Sequence, residues 1–544
     1  MPRFSFRAAG VGAVCAALAA CSGHTPPATG AHPARGAEAT AAQGPGAESV
    51  LPPIPAVRGP LAVTVVYPKS GATIAVRDST FIFGAVGSGD ATLTINGAPV
   101  AVEPNGAFLA WLPVPDSALS RYDLVAVRGA DTARLTQPIV IPSRRPPGDS
   151  ADSAMAREPF PDSGRYEAVG LGYTGTLSDT DRFVPARPTP AGTYKWFLAP
   201  GTVVRVTGRA PGGFWRVALD SSLSVWVNAA AVRPPPDAPP ITAPPHHVVT
   251  MARVKAAPGW VDLAMPVGAH TPPAYLVEEN GHDLELTLYG TTVAADVIQY
   301  DSRDTLVRSV TWEPETSDRG RFTVHLTVAP FGYLVLWDAA AGRLVLRVRR
   351  PPVIDATQPL RGRTIVVDAG HPPIGATGPT GLWEPVPTLA VSQVLDSILT
   401  ARGATVVMTR TTADPVDLEA RPAIARRADG EVLVSIHFNA LPDGLNPFTS
   451  QGTGTYFFHP HSIALARAVQ AGMLSTMRLR DRGIFYENFA LTRTTWMPAV
   501  LCEGAFIILP IQEAALRTPE FRARYAEGVA DGIESYLRSL AAAP

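Results

Sequence analysis

The sequence predicts a multidomain chain in which an open α/β sheet at the C-terminus follows three small all-β modules. Of 544 residues, 55 are Pro and 47 Gly, too many for one compact globule. The prolines bunch at 142–147, 234–245 and 351–359, where they divide the chain. Apolar residues at 46% are enough to build cores, which excludes a wholly disordered protein. Apolar positions alternate with period two as far as about residue 350, and from Arg361 onward strand-like runs alternate with helix-like ones. A net charge of −1 lacks the basic excess of a nucleic-acid binder, so no nucleic-acid partner is expected.

At the N-terminus, Arg3 and Arg7 precede the apolar stretch Ala8 to Ala20, which is too short to span a bilayer but suits an export signal. It ends Leu18-Ala19-Ala20-Cys21, which resembles the lipobox of bacterial lipoproteins. That resemblance implies removal of residues 1–20 and lipidation of Cys21, whose acyl chains would anchor the protein to a membrane. The alternative is an ordinary signal peptide with an incidental cysteine. With Ser22 next to the lipid site, the expected location in a Gram-negative envelope is the periplasmic face of the outer membrane. Cys15 would leave with the signal, so Cys502 has no partner for an internal disulfide. Residues 21–58 are poor in large apolar side chains and read as a disordered tether.

Residues 59–143 alternate like half-buried strands, with Asn96-Gly97 between Ala91–Ile95 and Val100–Val102 as a hairpin signal. They resemble a small immunoglobulin-like sandwich. Residues 166–234 hold short strands separated by Gly-rich turns and resemble a bacterial Src-homology-3-like barrel, in which Trp215 and Trp226 would line a ligand groove or, for at least one of them, fill the core. Residues 248–352 carry period-two strands at Leu284–Leu288 and Phe322–Val328. Their pattern, ending in Pro351-Pro352 before a region of different texture, resembles the AMIN-type β-domain found ahead of cell-wall amidases, which implies targeting to peptidoglycan or an envelope location.

From residue 361 to 542 the elements are a buried strand at Thr364–Val367, a helix over Leu389–Leu399, strands at Ala404–Met408 and Val432–Ile436, a helix around Leu418–Arg427, and a long helix from Pro519 to Leu540. In an open α/β sheet, ligands sit beyond the carboxyl ends of the strands. His371 lies just after the first strand, His437 ends another, and Glu503 follows the apolar run Ala499–Cys502. Glu384 stands where the loop after His371 enters a helix. Two imidazoles and one carboxylate suit zinc with an open position for water, and a second carboxylate can serve as base.

The segments around these residues, Ile365-Val366-Val367-Asp368-Ala369-Gly370-His371, Gly381-Leu382-Trp383-Glu384, Val434-Ser435-Ile436-His437-Phe438-Asn439-Ala440 and Met497-Pro498-Ala499-Val500-Leu501-Cys502-Glu503, resemble in order and spacing the zinc-dependent N-acetylmuramoyl-L-alanine amidases. The resemblance implies a Zn2+ cofactor held by His371, Glu384 and His437, with Glu503 as the catalytic carboxylate. It also implies a peptidoglycan substrate, cut at the amide between N-acetylmuramic acid and the L-alanine of the stem peptide. Asp368, Asn439 and Arg482 are further candidates, as supports of the ligands or contacts to substrate. Departures from the pattern are Pro385 and Pro387, where a lysine and an acidic residue are common, and Thr388 in place of Asn; proline is acceptable at a helix start.

Rival readings concern the same residue types. His459 and His461 read as a solvated turn, and His246-His247 as part of an inert linker. Period two points Cys502 away from Glu503, which argues against a thiol nucleophile paired with His437. Asp368 would orient His371 or serve only the strand end. Residues 441–452 are too few to hold a loop plus a blocking helix, so occlusion of the site in cis is not expected, and the sequence names no protein activator. The other functions weighed are a non-catalytic peptidoglycan-binding envelope lipoprotein and a zinc peptidase or deacetylase of the cell wall.

Overall fold

The computed structural model describes residues 51–116, 119–142, 173–177, 183–190, 192–233, 246–301 and 304–541. The export signal, Cys21, most of the expected tether and most of the first two proline-rich breaks lie outside the described residues. The architecture is multidomain and mostly β, with a C-terminal α/β sheet.

Residues 64–140 form a three-stranded and a five-stranded sheet packed around Ile74, Ile82, Phe108, Tyr122 and Leu124. Asn96 and Gly97, at φ 49° and 82°, make the two-residue turn that a tight hairpin between Thr92–Ile95 and Ala98–Val100 demands. Strands between Tyr173 and Arg233 build a five-stranded sheet and a separate pair. Trp196 and Trp226 are buried there, and Trp215 is partly buried against the same core. Strands from His247 to Arg349 form a five-stranded and a four-stranded sheet whose facing side chains, including Leu263, Leu286, Phe322 and Leu346, close one core.

The C-terminal sheet contains strands β1 (Thr364–Ala369), β2 (Thr405–Met408), β3 (Val432–Asn439), β4 (Thr453–Phe457), β5 (Asp481–Tyr486) and β6 (Ala499–Phe506). Their order is β2-β1-β3-β6-β4-β5. β2, β1, β3 and β6 run parallel, β4 is antiparallel to β6, and β5 is parallel to β4. The helices are α1 (Pro385–Ala401), α2 (Ala420–Arg427), α3 (Ile463–Met477), α4 (Pro510–Leu516) and α5 (Pro519–Ala541). Alternation decides which face of each strand is covered: Ile365, Val367, Val434, Ile436, Phe438, Val500 and Cys502 pack with α1, α3 and α5. Their neighbours Val366, Leu433 and Ala499 pack under Leu491, Trp496 and Met497. Helices α3 and α5 approach so closely that a Cβ on Gly532 would lie 2.4 Å from the Cα of Val469.

The modules are packed together rather than strung out on linkers, which corrects the picture drawn from proline content. Phe81, Phe83 and Leu109 of the first module are buried in the main core of the C-terminal domain. Phe197 of the second meets Phe458 edge to face at 6.4 Å. Trp260 of the third stacks on Trp496 at 3.9 Å, and the buried Arg349 guanidinium donates to the carbonyls of Gly430 and Trp496 and to Asp429. The histidine readings are corrected too. His461 is buried and His459 half-buried against Glu279 of the third module, with His461 Nδ1 2.7 Å from its carboxylate. His247 begins a strand, and its Nε2 bonds the carbonyl of Thr271 at 2.9 Å. No helix among the described residues is long and apolar enough to cross a membrane.

Candidate metal centre

The parallel strands bring His371, His437 and Glu503 to one rim of the sheet, with Glu384 entering from the start of α1. His371 follows β1 with φ at 61°, a left-handed backbone that costs a branched-free side chain on the order of 1 kcal/mol and persists only where the surroundings enforce it. Two buried arginines do so. Arg421 donates from Nη2 to the carbonyl of His371 at 2.8 Å and from Nη1 to that of Ala369 at 2.8 Å. Arg410 donates to the carbonyls of Ala369 and Gly370 at 2.8 and 2.9 Å. Burial, reinforced by the charge of Arg421, brings Arg410 down to about 10. Thr388, in the first turn of α1, donates to the Gly370 carbonyl at 2.7 Å, so this departure from the family pattern retains a structural task.

Glu384 is fully buried immediately before Pro385, which opens α1. Its Oε2 accepts from the amide of Ala376 at 2.9 Å and its Oε1 from the amide of Phe438 at 3.0 Å. The first bond ties it to its own loop and the second to β3. Burial alone would raise its pKa, but the two neighbouring imidazoles outweigh that and hold the carboxyl well below the usual range. Burial, helped by the charge of His371, lowers the pKa of His437 against the opposing pull of Glu384. A Cβ on Gly370 would lie 2.5 Å from the His437 ring, so only glycine fits beneath that imidazole.

His371 Nε2 lies 3.1 Å from Glu384 Oε2, and His437 Nδ1 lies 3.5 Å from Glu384 Oε1. The ligand atoms of all three residues fall within 4.8 Å of one another. Tetrahedral zinc bonds of about 2.0–2.1 Å place ligand atoms about 3.3 Å apart. Despite its short distance to Glu384, His371 Nε2 makes no hydrogen bond. A buried, unpaired ring nitrogen beside a low-pKa carboxylate and a neutral imidazole fits a cation of the zinc type.

Glu503 pairs in register with His437 across β6 and β3 and is 2% exposed. Its Oε2 is unpartnered. Burial, and then the charge of Glu384, push its pKa well above the carboxylate range, while Arg482 pulls the other way. The Arg482 guanidinium sits over the rings of Phe485 and Phe506 at 5.2 and 5.4 Å. Cys502 faces the opposite side, fully buried, and burial with the nearby Glu503 charge pushes its thiol far up, so it is no nucleophile. Asp368 makes no hydrogen bond to the His371 ring. It accepts from Thr409, Ser435 and Arg421, and its link to His371 runs through Arg421.

Sequence reasoning missed Arg410, Arg421 and Glu513. Arg410 had a usable signal, a charge two residues beyond the carboxyl end of a parallel strand. Glu513, fully buried in α4, accepts from the amides of Thr380 and Leu382 at 2.9 and 3.0 Å and so pins the loop that delivers Glu384. Nearby, residues 441–452 leave β3 as a loop without a helix. Asp443 in that loop accepts from Tyr67 Oη and, at 2.9 Å, from Thr80 Oγ1, both in the first β-module.

The sequence profile described as N-acetylmuramoyl-L-alanine amidase matches residues 365–535. The uncharacterized protein YqiI of Bacillus subtilis is 33% identical over 208 residues, covering 37% of this chain and 98% of that protein. The probable cell wall amidase LytH of Staphylococcus aureus is 34% identical over 183 residues, covering 33% of this chain; the chain spans 60% of the length of that relative. Among solved structures, the catalytic domain of CwlV, an N-acetylmuramoyl-L-alanine amidase from Bacillus (Paenibacillus) polymyxa var. colistinus, shares 36% identity, covering 32% of this chain and 98% of that one at a TM-score of 0.31.

Proposed function

Because the chain belongs to the N-acetylmuramoyl-L-alanine amidase family, we propose that it hydrolyses, with zinc held by His371, Glu384 and His437, the amide joining N-acetylmuramic acid to the first residue of the peptidoglycan stem. The observation that carries the reading is the pairing of a three-ligand pocket with a separate buried carboxylate, Glu503, on the neighbouring strand. Bound zinc would supply Lewis acidity to a carbonyl oxygen and to a water. Glu503 takes the proton of the attacking water on its free Oε2 and hands it to the departing amide nitrogen. Its raised pKa, caused by burial and then by the charge of Glu384, suits the second half of that task, since it favours the carboxyl's keeping the proton it has taken until the amide nitrogen departs. Arg410 and Arg421 keep His371 in its uncommon backbone conformation, and Glu513 keeps the Glu384 loop in place.

Digestion of purified sacculi with and without a chelator tests the reading. Release of intact stem peptides, abolished by chelation and restored by zinc, is the expected result. Glu503→Gln should lower turnover by about 10²–10⁴-fold while leaving bound zinc unchanged. Sacculi left intact by the zinc-loaded wild type, or products cut within the peptide, would overturn it. The lipobox-like segment supports a further part of the proposal, anchorage through Cys21 at the envelope. Cys21→Ser should release the protein from membranes, and unchanged membrane recovery would refute that part.

A further inference from the structure

Asn439 ends β3 two residues beyond His437 and is 1% exposed. Its backbone carbonyl accepts from the amide of Ile507 at 3.1 Å. In its side chain, neither Nδ2 nor Oδ1 has a partner. Among the described residues, four of the eleven buried unpaired side-chain atoms are His371 Nε2, Glu503 Oε2 and these two atoms of Asn439. Unpaired polar atoms are rare inside proteins because each forfeits a hydrogen bond, so their concentration at one place marks where partners arrive from outside. For His371 and Glu503 those partners are already assigned above.

The position of Asn439 narrows what its partner is. Val434, Ile436 and Phe438 point into the helix-covered core, so alternation puts Asn439 on the same face as His437. The two Cα atoms are about 7 Å apart along the strand, roughly two peptide groups of an extended chain. A carboxamide offers one donor and one acceptor along one edge of a plane, as the N–H and C=O of one residue in an extended chain do; within a single trans peptide group the two point opposite ways. Carboxylates and sugar hydroxyls would leave one of its two groups unmatched or indifferent, whereas one residue of an extended peptide matches both.

We infer that Asn439 is a substrate-recognition residue that pairs with one residue of the extended stem peptide beside the scissile amide, Nδ2 donating to that residue's carbonyl and Oδ1 accepting from its N–H. The inference rests on the amidase reading for the identity of the stem peptide.

The test measures Asn439→Leu, close in volume and without polar atoms, against wild type, using sacculi and a soluble N-acetylmuramoyl dipeptide together with its ester analogue, which lacks the N–H in question. Asn439→Leu should hold zinc at full stoichiometry and melt no lower than wild type, because an unsatisfied buried amide has been removed. It should lose roughly tenfold or more in kcat/KM, mostly through KM. The ester should cost wild type roughly tenfold in affinity and cost Asn439→Leu nothing. A fall in melting temperature with unchanged kcat/KM per folded molecule, or equal discrimination against the ester by both proteins, would overturn the inference. Binding to Glu503→Gln with and without Asn439→Leu provides the same comparison without turnover. Failure of wild type to digest sacculi therefore counts against the amidase reading, and equal binding by these two variants counts against Asn439.

Discussion

His371 shows what a single residue requires of its surroundings. Its strained backbone is maintained by two guanidiniums that bond the backbone carbonyls of residues 369–371. Arg421 also neutralises Asp368, whose carboxyl stays below its usual range because that arginine, Ser435 and Thr409 outweigh the upward push of burial. Arg421→Met should therefore destabilise the domain by about 3 kcal/mol, since it leaves a buried charge uncompensated, and weaken zinc binding about 10–100-fold. Thermal melts and competition with a zinc indicator read the two effects separately; full zinc affinity in the variant would refute the positioning role. His371, Glu384, His437 and Glu503 were legible in the sequence because each adjoins a buried apolar run or a helix start. Arg421 and Glu513 were not, because much of what they bond is main chain, the carbonyls of Ala369 and His371 and the amides of Thr380 and Leu382, which carries no sequence signature.

At the level of elements, the strands and helices of the C-terminal domain could be read from periodicity, and the hairpin at Asn96-Gly97 from its turn residues. Closeness of approach between helices was harder to see. Gly472, Gly528 and Gly532 lie where α3 and α5 nearly touch, and a Cβ on Gly472 would lie 2.1 Å from the carbonyl oxygen of Gly528. Glycine in a helix interior usually lowers stability relative to alanine by roughly 0.5–1 kcal/mol, yet here the sign reverses. Gly532→Ala should lower stability by about 1–3 kcal/mol through overpacking, visible as a lower urea midpoint at unchanged zinc content. A stabilised variant would show that the two helices can move apart freely.

For the molecule as a whole, proline content suggested separable domains, whereas the surfaces of the modules are joined by large aromatic and charged groups. Phe81, Phe83 and Trp260 sit in strands that would read equally well as facing each module's own core, so period two could not reveal that they face another domain. The interface around Glu279 also responds to pH. Burial, and then the charge of His461, lower His459 to about 4, with Arg493 adding to the effect and Glu279 opposing it. The T-shaped ring of Tyr333 closes the cluster. A histidine whose folded pKa is depressed contributes stability that is complete above its unfolded value of about 6.5 and is lost as pH falls toward 4. Glu279 is held below its usual range by the two imidazoles against the push of burial, so its contribution is lost below about pH 4.3 in the same direction. Stability should thus fall by about 2 kcal/mol between pH 7 and pH 5 on account of His459. His459→Gln should flatten the melting temperature across that range, and an unchanged slope would rule the interface out as its source.

The bonds from Tyr67 and Thr80 to Asp443 join the first β-module to the loop that leaves the active-site strand. Undocking of that module and loosening of the loop should therefore be one equilibrium, so the temperature of heat inactivation should depend on Thr80 and Tyr67, 363 and 376 positions upstream of Asp443, in a module that supplies none of the candidate metal ligands. Asp443→Ala should lower the temperature of heat inactivation while leaving the main melting transition of the α/β sheet in place, and hydrogen exchange at residues 441–452 should speed up together with that of the strand at Ser79–Ala85. If the loop alone accelerated, the two would be independent units.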